Sequence, residues 1–373
     1  MMIHSIPAGI APYIHSHYDD FVHLLCQIIS IPSPTGQEQA KAEWILNYLH
    51  RMGETQAYID KAGNVICPCQ TEGHETFPLY NAHIDTVFTQ LKEITPSITG
   101  NILAAPSCGD NSSSVAGLLF ILTMIRDLQL ALPKGALFAF NVGEEGLGNL
   151  KGMRQLMADW KQSVSEVVAV DCTYDQVVSL PVGSRRYTVS IDAEGGHSWM
   201  HFGHTNAIAA AAAIITRLYA LSVPTSPKTT YNIGTIQGGT TVNSIAAHAE
   251  FTVDLRSESH GELQKLDDTF AALIKDEQND KITITKTLIG ERPCSNGTTA
   301  DEQCRRIAAI RREKGLPTTF ISGSTDANIP LSLGIPAISF GICRSQGEHT
   351  VHETLELDTI EPGLLQFVTY MLS

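Results

Sequence analysis

Two textures of apolar and polar spacing divide this chain. Up to Asp175, short continuously apolar runs alternate with stretches of helical period. Phe77–Asn81 leads into Ala82-His83-Ile84-Asp85, Ala136–Val142 into Gly143-Glu144-Glu145-Gly146, and Val167–Val170 into Asp171. Near the end, Ala337–Phe340 leads through a loop to Gly347-Glu348-His349. Runs of this length and composition predict buried strands of a mostly parallel sheet. Between them, Ala42, Ile45, Leu46 and Leu49 recur at helical spacing, opened by the capping-box sequence Thr35-Gly-Gln-Glu38 and stopped by Gly53. Val115–Ile125 reads as an apolar helix.

Near Gly183 the texture changes. Tyr187–Asp192 and His248–Arg256 alternate as half-buried strands, Asn206–Leu221 and Gly261–Lys275 read as helices, and Ile282–Leu288 as a strand. This predicts a small α+β, ferredoxin-like domain over residues 183–290, of strand-helix-strand-helix-strand order. It is inserted into an α/β domain built from residues 1–182 and 291–373, to which helix Ala300–Lys314 and strand Pro336–Phe340 return. A length of 373 residues agrees with two domains.

In parallel sheets, ligands bind in the crevice beyond the carboxyl ends of the strands. His83, Asp110, Glu145, Asp171 and His349 all follow a predicted strand or glycine turn. Imidazole with carboxylate and without thiolate suits zinc, with cobalt or manganese as alternatives. Two imidazoles and three carboxylates exceed what one catalytic zinc takes. They fit two ions, roughly 3.5–4 Å apart, that share a carboxylate. Asp110, in the loop Ser107–Ser114, is the candidate bridge. Of Glu144 and Glu145, one would bind metal and the other act as general base. Each residue also has a blander reading: His83 as a bonded core histidine, the Glu pair as a solvated turn, Asp171 as a helix N-cap, Arg256 as an exposed strand residue, His197 as part of a glycine turn. His349 and His352 both stand where the late ligand is needed, and His201 and His204 read as surface residues.

A net charge of −14 without a basic block excludes a nucleic-acid partner. The eight cysteines show no zinc-ribbon spacing, and Cys67-Pro-Cys69 reads as strand. Met1–Asp20 lacks a basic segment followed by an apolar core, so no signal peptide is expected, and free thiols then point to a reducing cytoplasm. Val115–Ile125 is too short to span a bilayer, so no membrane partner is expected.

The ordered set His83-Ile-Asp85, Gly109-Asp110-Asn111, Gly143-Glu144-Glu145-Gly146, Asp171 and His349 resembles the co-catalytic zinc family of peptidase T, bacterial dipeptidases, glutamate carboxypeptidase, aminoacylase and the acetylornithine and succinyl-diaminopimelate deacylases. Ile31–Gly36, Gly238–Asn243, Asp254-Leu-Arg256, Ser324-Thr-Asp-Ala-Asn328 and Gly334-Ile-Pro336 look familial too, and Ser324–Asn328 looks most similar to the peptidase T branch. The resemblance implies His83 and Asp171 on one zinc, Glu145 and His349 on the other, and Asp110 bridging. It places the late ligand four residues before a Glu, which selects His349. It further implies Glu144 as base, Asp85 accepting the ring proton of His83, a cis bond after Asp110, and Asn243, Arg256 and Ser324 on the substrate. Arg256, taken to lie beside Asn243, would clamp a substrate carboxylate. In dimeric relatives the inserted domain mediates pairing, which implies a homodimer in which His197 reaches the partner's site and steadies the oxyanion. The expected activity is metal-assisted hydrolysis of amide bonds in short peptides. An N-acyl-amino-acid deacylase using the same atoms is the alternative, and a catalytically silent metal-binding regulatory module is the reading from another class.

Overall fold

A computed structural model describes residues 7–171 and 173–373 of the chain. Expectations resting on residues 1–6, at the start of the Met1–Asp20 segment, or on Cys172 lie outside the described residues. The chain falls into two compact units. One holds the described residues through Pro181 together with Asn296–Ser373, and the other is Val182–Ser295. The final strand of the second unit runs to Arg292, past the limit of 290 read from the sequence.

The first unit is built on an eight-stranded sheet. Its order is Tyr58–Ile59, Val65–Cys69, Ala136–Asn141, Phe77–His83, Val164–Ala169, Ala337–Ser339, Gln176–Pro181, Thr319–Gly323. The four central strands run parallel, with His83 opposite Asn141 and Asn81 opposite Ala169. Every residue of Phe77–His83 and of Ala136–Asn141 is buried, as continuous apolar runs require when both faces of a sheet are covered. Helices Tyr18–Ile29, Ser114–Asp127 and Ile360–Met371 contribute to the core, where Phe21 meets Phe120 edge-on and Phe367 packs on Tyr80 and Phe340. A smaller antiparallel sheet joins Ser97–Thr99, Ile102–Ala104, Thr354–Glu356 and Arg344–Gln346. This sheet brings the chain after His349 beside the segment that leads to Asp110.

Two local expectations are corrected here. Thr35-Gly-Gln-Glu38 does not form a capping box, and the helix is Gln39–Met52 with Glu38 as its uncapped first flank. The Thr35 hydroxyl donates instead to Asp85 Oδ2 at 2.9 Å, and Glu38 Oε1 accepts the Gly36 N–H at 2.9 Å. A tertiary partner for Thr35 outcompetes the local cap. The apolar helix is also longer than Val115–Ile125. The α-helix is Ser114–Asp127, and with the distorted segment Cys108–Ser113 before it the stretch reaches 20 residues, long and apolar enough to cross a membrane by length and composition alone. Its most apolar window is 89% buried inside the protein, the signature of a core helix.

The second unit is a four-stranded antiparallel sheet in the order Thr229–Gly238, His248–Ser257, Gly183–Ala193, Ile282–Arg292. Along His248–Ser257, Ala249, Phe251, Val253, Leu255 and Ser257 are buried in strict alternation. Helices Ala207–Tyr219 and His260–Glu277 supply Ile214, Leu218, Leu266 and Phe270 to the same core. Asn206 caps the first helix by accepting the N–H groups of Ile208 and Ala209. The strand Thr229–Gly238 is absent from the order read in the sequence. It is an edge strand with few buried positions, so its apolar pattern is faint.

Candidate dinuclear metal centre

The carboxyl ends of the central strands carry the site. His83 closes Phe77–His83, Glu144 and Glu145 occupy the turn after Ala136–Asn141, and Asp171 follows Val164–Ala169. Asp110 comes from the distorted helical segment Cys108–Ser113, and its bond to Asn111 is cis. His349 lies in the loop after Arg344–Gln346, with φ 62° in the left-handed region.

Three ligand sets converge. His83, Asp110 and Asp171 offer atoms within 4.8 Å of one another, as do Asp110, Glu145 and His349, and His83, Glu144 and Glu145. Asp110 belongs to both of the first two sets through different oxygens. Its Oδ1 lies 3.0 Å from His83 Nε2, and its Oδ2 lies 3.1 Å from His349 Nε2. Glu145 Oε1 lies 3.0 Å from His349 Nε2, and Asp171 Oδ1 lies 4.0 Å from His83 Nε2. His352 is in none of these sets.

The electrostatics show what the cluster needs. Burial opposes charge on His83, yet bonds to Asp110 and Asp85 with the nearby Asp171 lift its pKa well above the imidazole range. Bonds to Asp110 and Glu145 push His349 up to about 11 against partial burial. Asp110 moves the other way, held far below the carboxylate range by the two imidazoles despite burial. Burial and the charge of Asp110 raise Glu145 even as His349 bonds to it. Metal binding requires neutral imidazoles. Four carboxylates and two neutral imidazoles then carry a formal charge of −4, which two divalent cations balance. The donor set therefore fits a pair of ions.

Asp85 stands beside the His83 ring and does more besides. Its backbone carbonyl accepts the His83 Nδ1–H at 3.1 Å, while its nearer carboxylate oxygen stands 3.6 Å from that nitrogen. The ring proton is thus fixed on Nδ1 and Nε2 is left to face the ligand cluster. The Asp85 carboxylate is occupied by the N–H groups of Glu144 at 3.0 Å and Glu145 at 2.9 Å. It thereby holds the acidic turn.

Three residues of this neighbourhood escape a sequence reading. Asp326, wholly buried inside the Ser324–Asn328 segment, accepts Asn81 Nδ2 at 2.9 Å and Asn141 Nδ2 at 2.7 Å on one oxygen. Burial and the charge of Glu144 push this carboxyl up to about 8. The signal was present: an Asn inside each of two apolar strand runs, in nearly matching register, must find a buried partner. Ser324 itself follows strand Thr319–Gly323 and is half-buried.

In the second unit, His197 pairs in a two-stranded ladder, His197 opposite Ser244, and Asn243 O accepts the Ser198 N–H at 3.0 Å. His197 and Asn243 are therefore neighbours. His197 Nδ1 accepts the N–H groups of Trp199 at 3.3 Å and Met200 at 3.5 Å. A neutral ring so engaged carries its proton on Nε2, which is then a donor. His201 and His204 are exposed, as expected, but they also brace this turn. His201 Nδ1 accepts the His197 N–H at 3.0 Å, and His204 Nδ1 donates to Gly195 O at 2.9 Å. Arg256 does not lie beside Asn243. It sits at the far end of strand His248–Ser257, eight residue steps from His248 or roughly 26 Å. Its Nε donates to Asp254 Oδ2 at 2.8 Å.

Overlapping ligand sets at the strand ends of a parallel α/β sheet, in a chain interrupted by an antiparallel α+β unit, define a two-domain metallohydrolase. Residues 182–281 match the family described as "Peptidase dimerisation domain", and residues 64–214 match "Peptidase family M28". The two matches overlap and together span residues 64–281, so the chain is similar to these peptidases over its middle part. It is 34% identical over 138 residues to a putative [LysW]-lysine/[LysW]-ornithine hydrolase of Pyrococcus abyssi, covering 37% of this chain and 36% of that protein. It is 25% identical over 274 residues to an N-acetyldiaminopimelate deacetylase of Geobacillus thermodenitrificans, covering 68% and 70%. The solved aminopeptidase PepT of Bacillus cereus shares the fold at a TM-score of 0.75 and 18% identity, over 95% of this chain and 98% of that one.

Proposed function

We propose that this chain is a dinuclear metal-dependent hydrolase of amide bonds in short peptides, with zinc as the metal. The observation that carries the reading is the shared carboxylate: the two oxygens of Asp110 serve two separate ligand sets. His83 and Asp171 would complete one ion's ligands, Glu145 and His349 the other's. Bound ions supply Lewis acidity towards a carbonyl and acidify water. Glu144 stands in the same acidic turn but outside the His349 set, which suits a base that takes a proton from water and returns it to the leaving amine. Asp85 keeps the two neighbouring carboxylates in separate roles by fixing both of their backbone N–H groups.

The match to a dimerisation domain supports pairing through the second unit. His197 and Asn243 then act in the partner's site, where His197 Nε2–H is a donor for the oxyanion. Arg256, at the opposite end of its strand, cannot grip the same small substrate from the same subunit as Asn243. A carboxylate clamp by Arg256 thus requires Asn243 to come from the partner.

The second reading, an N-acyl-amino-acid deacylase, is favoured by the likeness to the Geobacillus deacetylase. A panel of free-amine tripeptides, dipeptides and N-acetylated amino acids, assayed with zinc, cobalt and manganese, separates the two. Preference for free-amine peptides supports the first reading, preference for N-acetyl amino acids the second, and metal uptake without turnover refutes both. For the trans role, mixed Glu144→Ala and His197→Ala subunits should regain activity, since one composite site per mixed dimer is intact. No recovery after proven subunit exchange rules that role out.

A further inference from the structure

Glu353 lies four residues beyond His349 and is fully buried. All three of its hydrogen bonds go to one short stretch of backbone. Oε2 accepts the Ser107 N–H at 2.7 Å, and Oε1 accepts the N–H groups of Gly109 and Asp110, both at 2.8 Å. The main chain is tied at the same place, because Ala105 N–H donates to Glu353 O at 3.1 Å and Thr354–Glu356 pairs with Ile102–Ala104. The fit is close. A Cβ on Gly109 would stand 2.3 Å from Ser345 Cβ and 3.0 Å from Glu353 Oε1, so only glycine lets this loop lie against the late segment.

The loop so held presents Asp110, and the segment that holds it presents His349. We propose that Glu353 is a positioning residue that locks the bridging carboxylate of Asp110 to the His349 half of the metal centre. The proposal rests on the dinuclear reading above. Two features make a carboxylate necessary. Three buried N–H donors need an acceptor with two oxygens, and a glutamine would turn an N–H₂ against one of them. The anchor must also join chain segments 243 positions apart, since Asp110 and Glu353 meet only in the tertiary structure. His83 and Asp171 stand on strand ends that Glu353 does not touch, so the ion they hold depends on it less.

The test uses the full chain, freed of metal and titrated with cobalt(II). Calorimetry counts the binding events, and visible absorption reports the ligand geometry of each. Wild type should take up two ions. Glu353→Gln should weaken one event by about 10- to 100-fold, the usual range for a group that orients a ligand, and leave the other near its wild-type affinity. Glu353→Asp, which keeps the charge but shortens the reach, should fall between, and it decides the question should the glutamine variant not fold. Two ions at wild-type affinity in these variants overturn the proposal, as does equal weakening of both events, the mark of general loosening. A wild-type chain that binds fewer than two ions refutes the dinuclear reading itself, and the proposal with it.

Discussion

Asp85 fastens Glu145 in place, its Oδ2 accepting the Glu145 backbone N–H at 2.9 Å inside the protein. With the parallel bond from Glu144 to Oδ1, one carboxylate satisfies two buried donors. Asp85→Ala leaves both unpaired, at about 1–3 kcal/mol each. The variant should unfold earlier in urea and lose turnover together. Unchanged stability would show that the turn holds itself.

Glu144 and Glu145 share a set with His83, but it is Glu145 that also pairs with His349, at 3.0 Å. Glu144→Ala should therefore keep two metal ions while turnover falls by about 10²–10⁴-fold, the usual worth of a general base. Glu145→Ala should lose an ion. Metal analysis of the two purified variants checks this, and the reverse pattern would exchange their roles.

Asp110 faces both imidazoles, Oδ1 towards His83 and Oδ2 towards His349. Asp110→Ala should reduce metal content by at least one ion and abolish activity. Full occupancy measured after dialysis would exclude a shared carboxylate.

Lys41 is 2% exposed, and burial lowers its ammonium to about 8 although the charge of Asp85 works against this. The sign follows from linkage. Below pH 8 the lysine is protonated folded and unfolded, and the folded state bears the full penalty of burying the charge. Between 8 and 10.5 the folded state gives up its proton first, so the penalty shrinks as pH rises. Lys41→Met should stabilise the protein by about 3 kcal/mol at pH 7, at about 1.4 kcal/mol per unit, with the gain fading towards pH 10.5. Urea unfolding of both proteins at pH 7 and pH 10 measures it. Destabilisation at pH 7 would mean that the charge is better solvated than its burial implies.

The sequence by itself determined which residues were candidate ligands and where the main strands lie along the chain, because both are local. A buried strand announces itself as a continuous apolar run, and a polar residue at its carboxyl end is already at the sheet edge where ligands gather. His83, Glu145 and Asp171 were legible in that way. What the tertiary structure decided were the contacts made across distance in the chain. Thr35 looks like a helix cap until Asp85 offers it a better partner. Asp85 looks like a partner for the His83 ring alone until the Glu144 and Glu145 amides are found on the same carboxylate. Asn243 and Arg256 read as one grip until the strand between them sets them at its two ends. Edge strand Thr229–Gly238 buries too little to leave a period, and Glu353 is an ordinary acid in the sequence until three backbone donors converge on it. Buried hydrogen bonds must be satisfied, and which groups satisfy them is fixed only once the chain has packed.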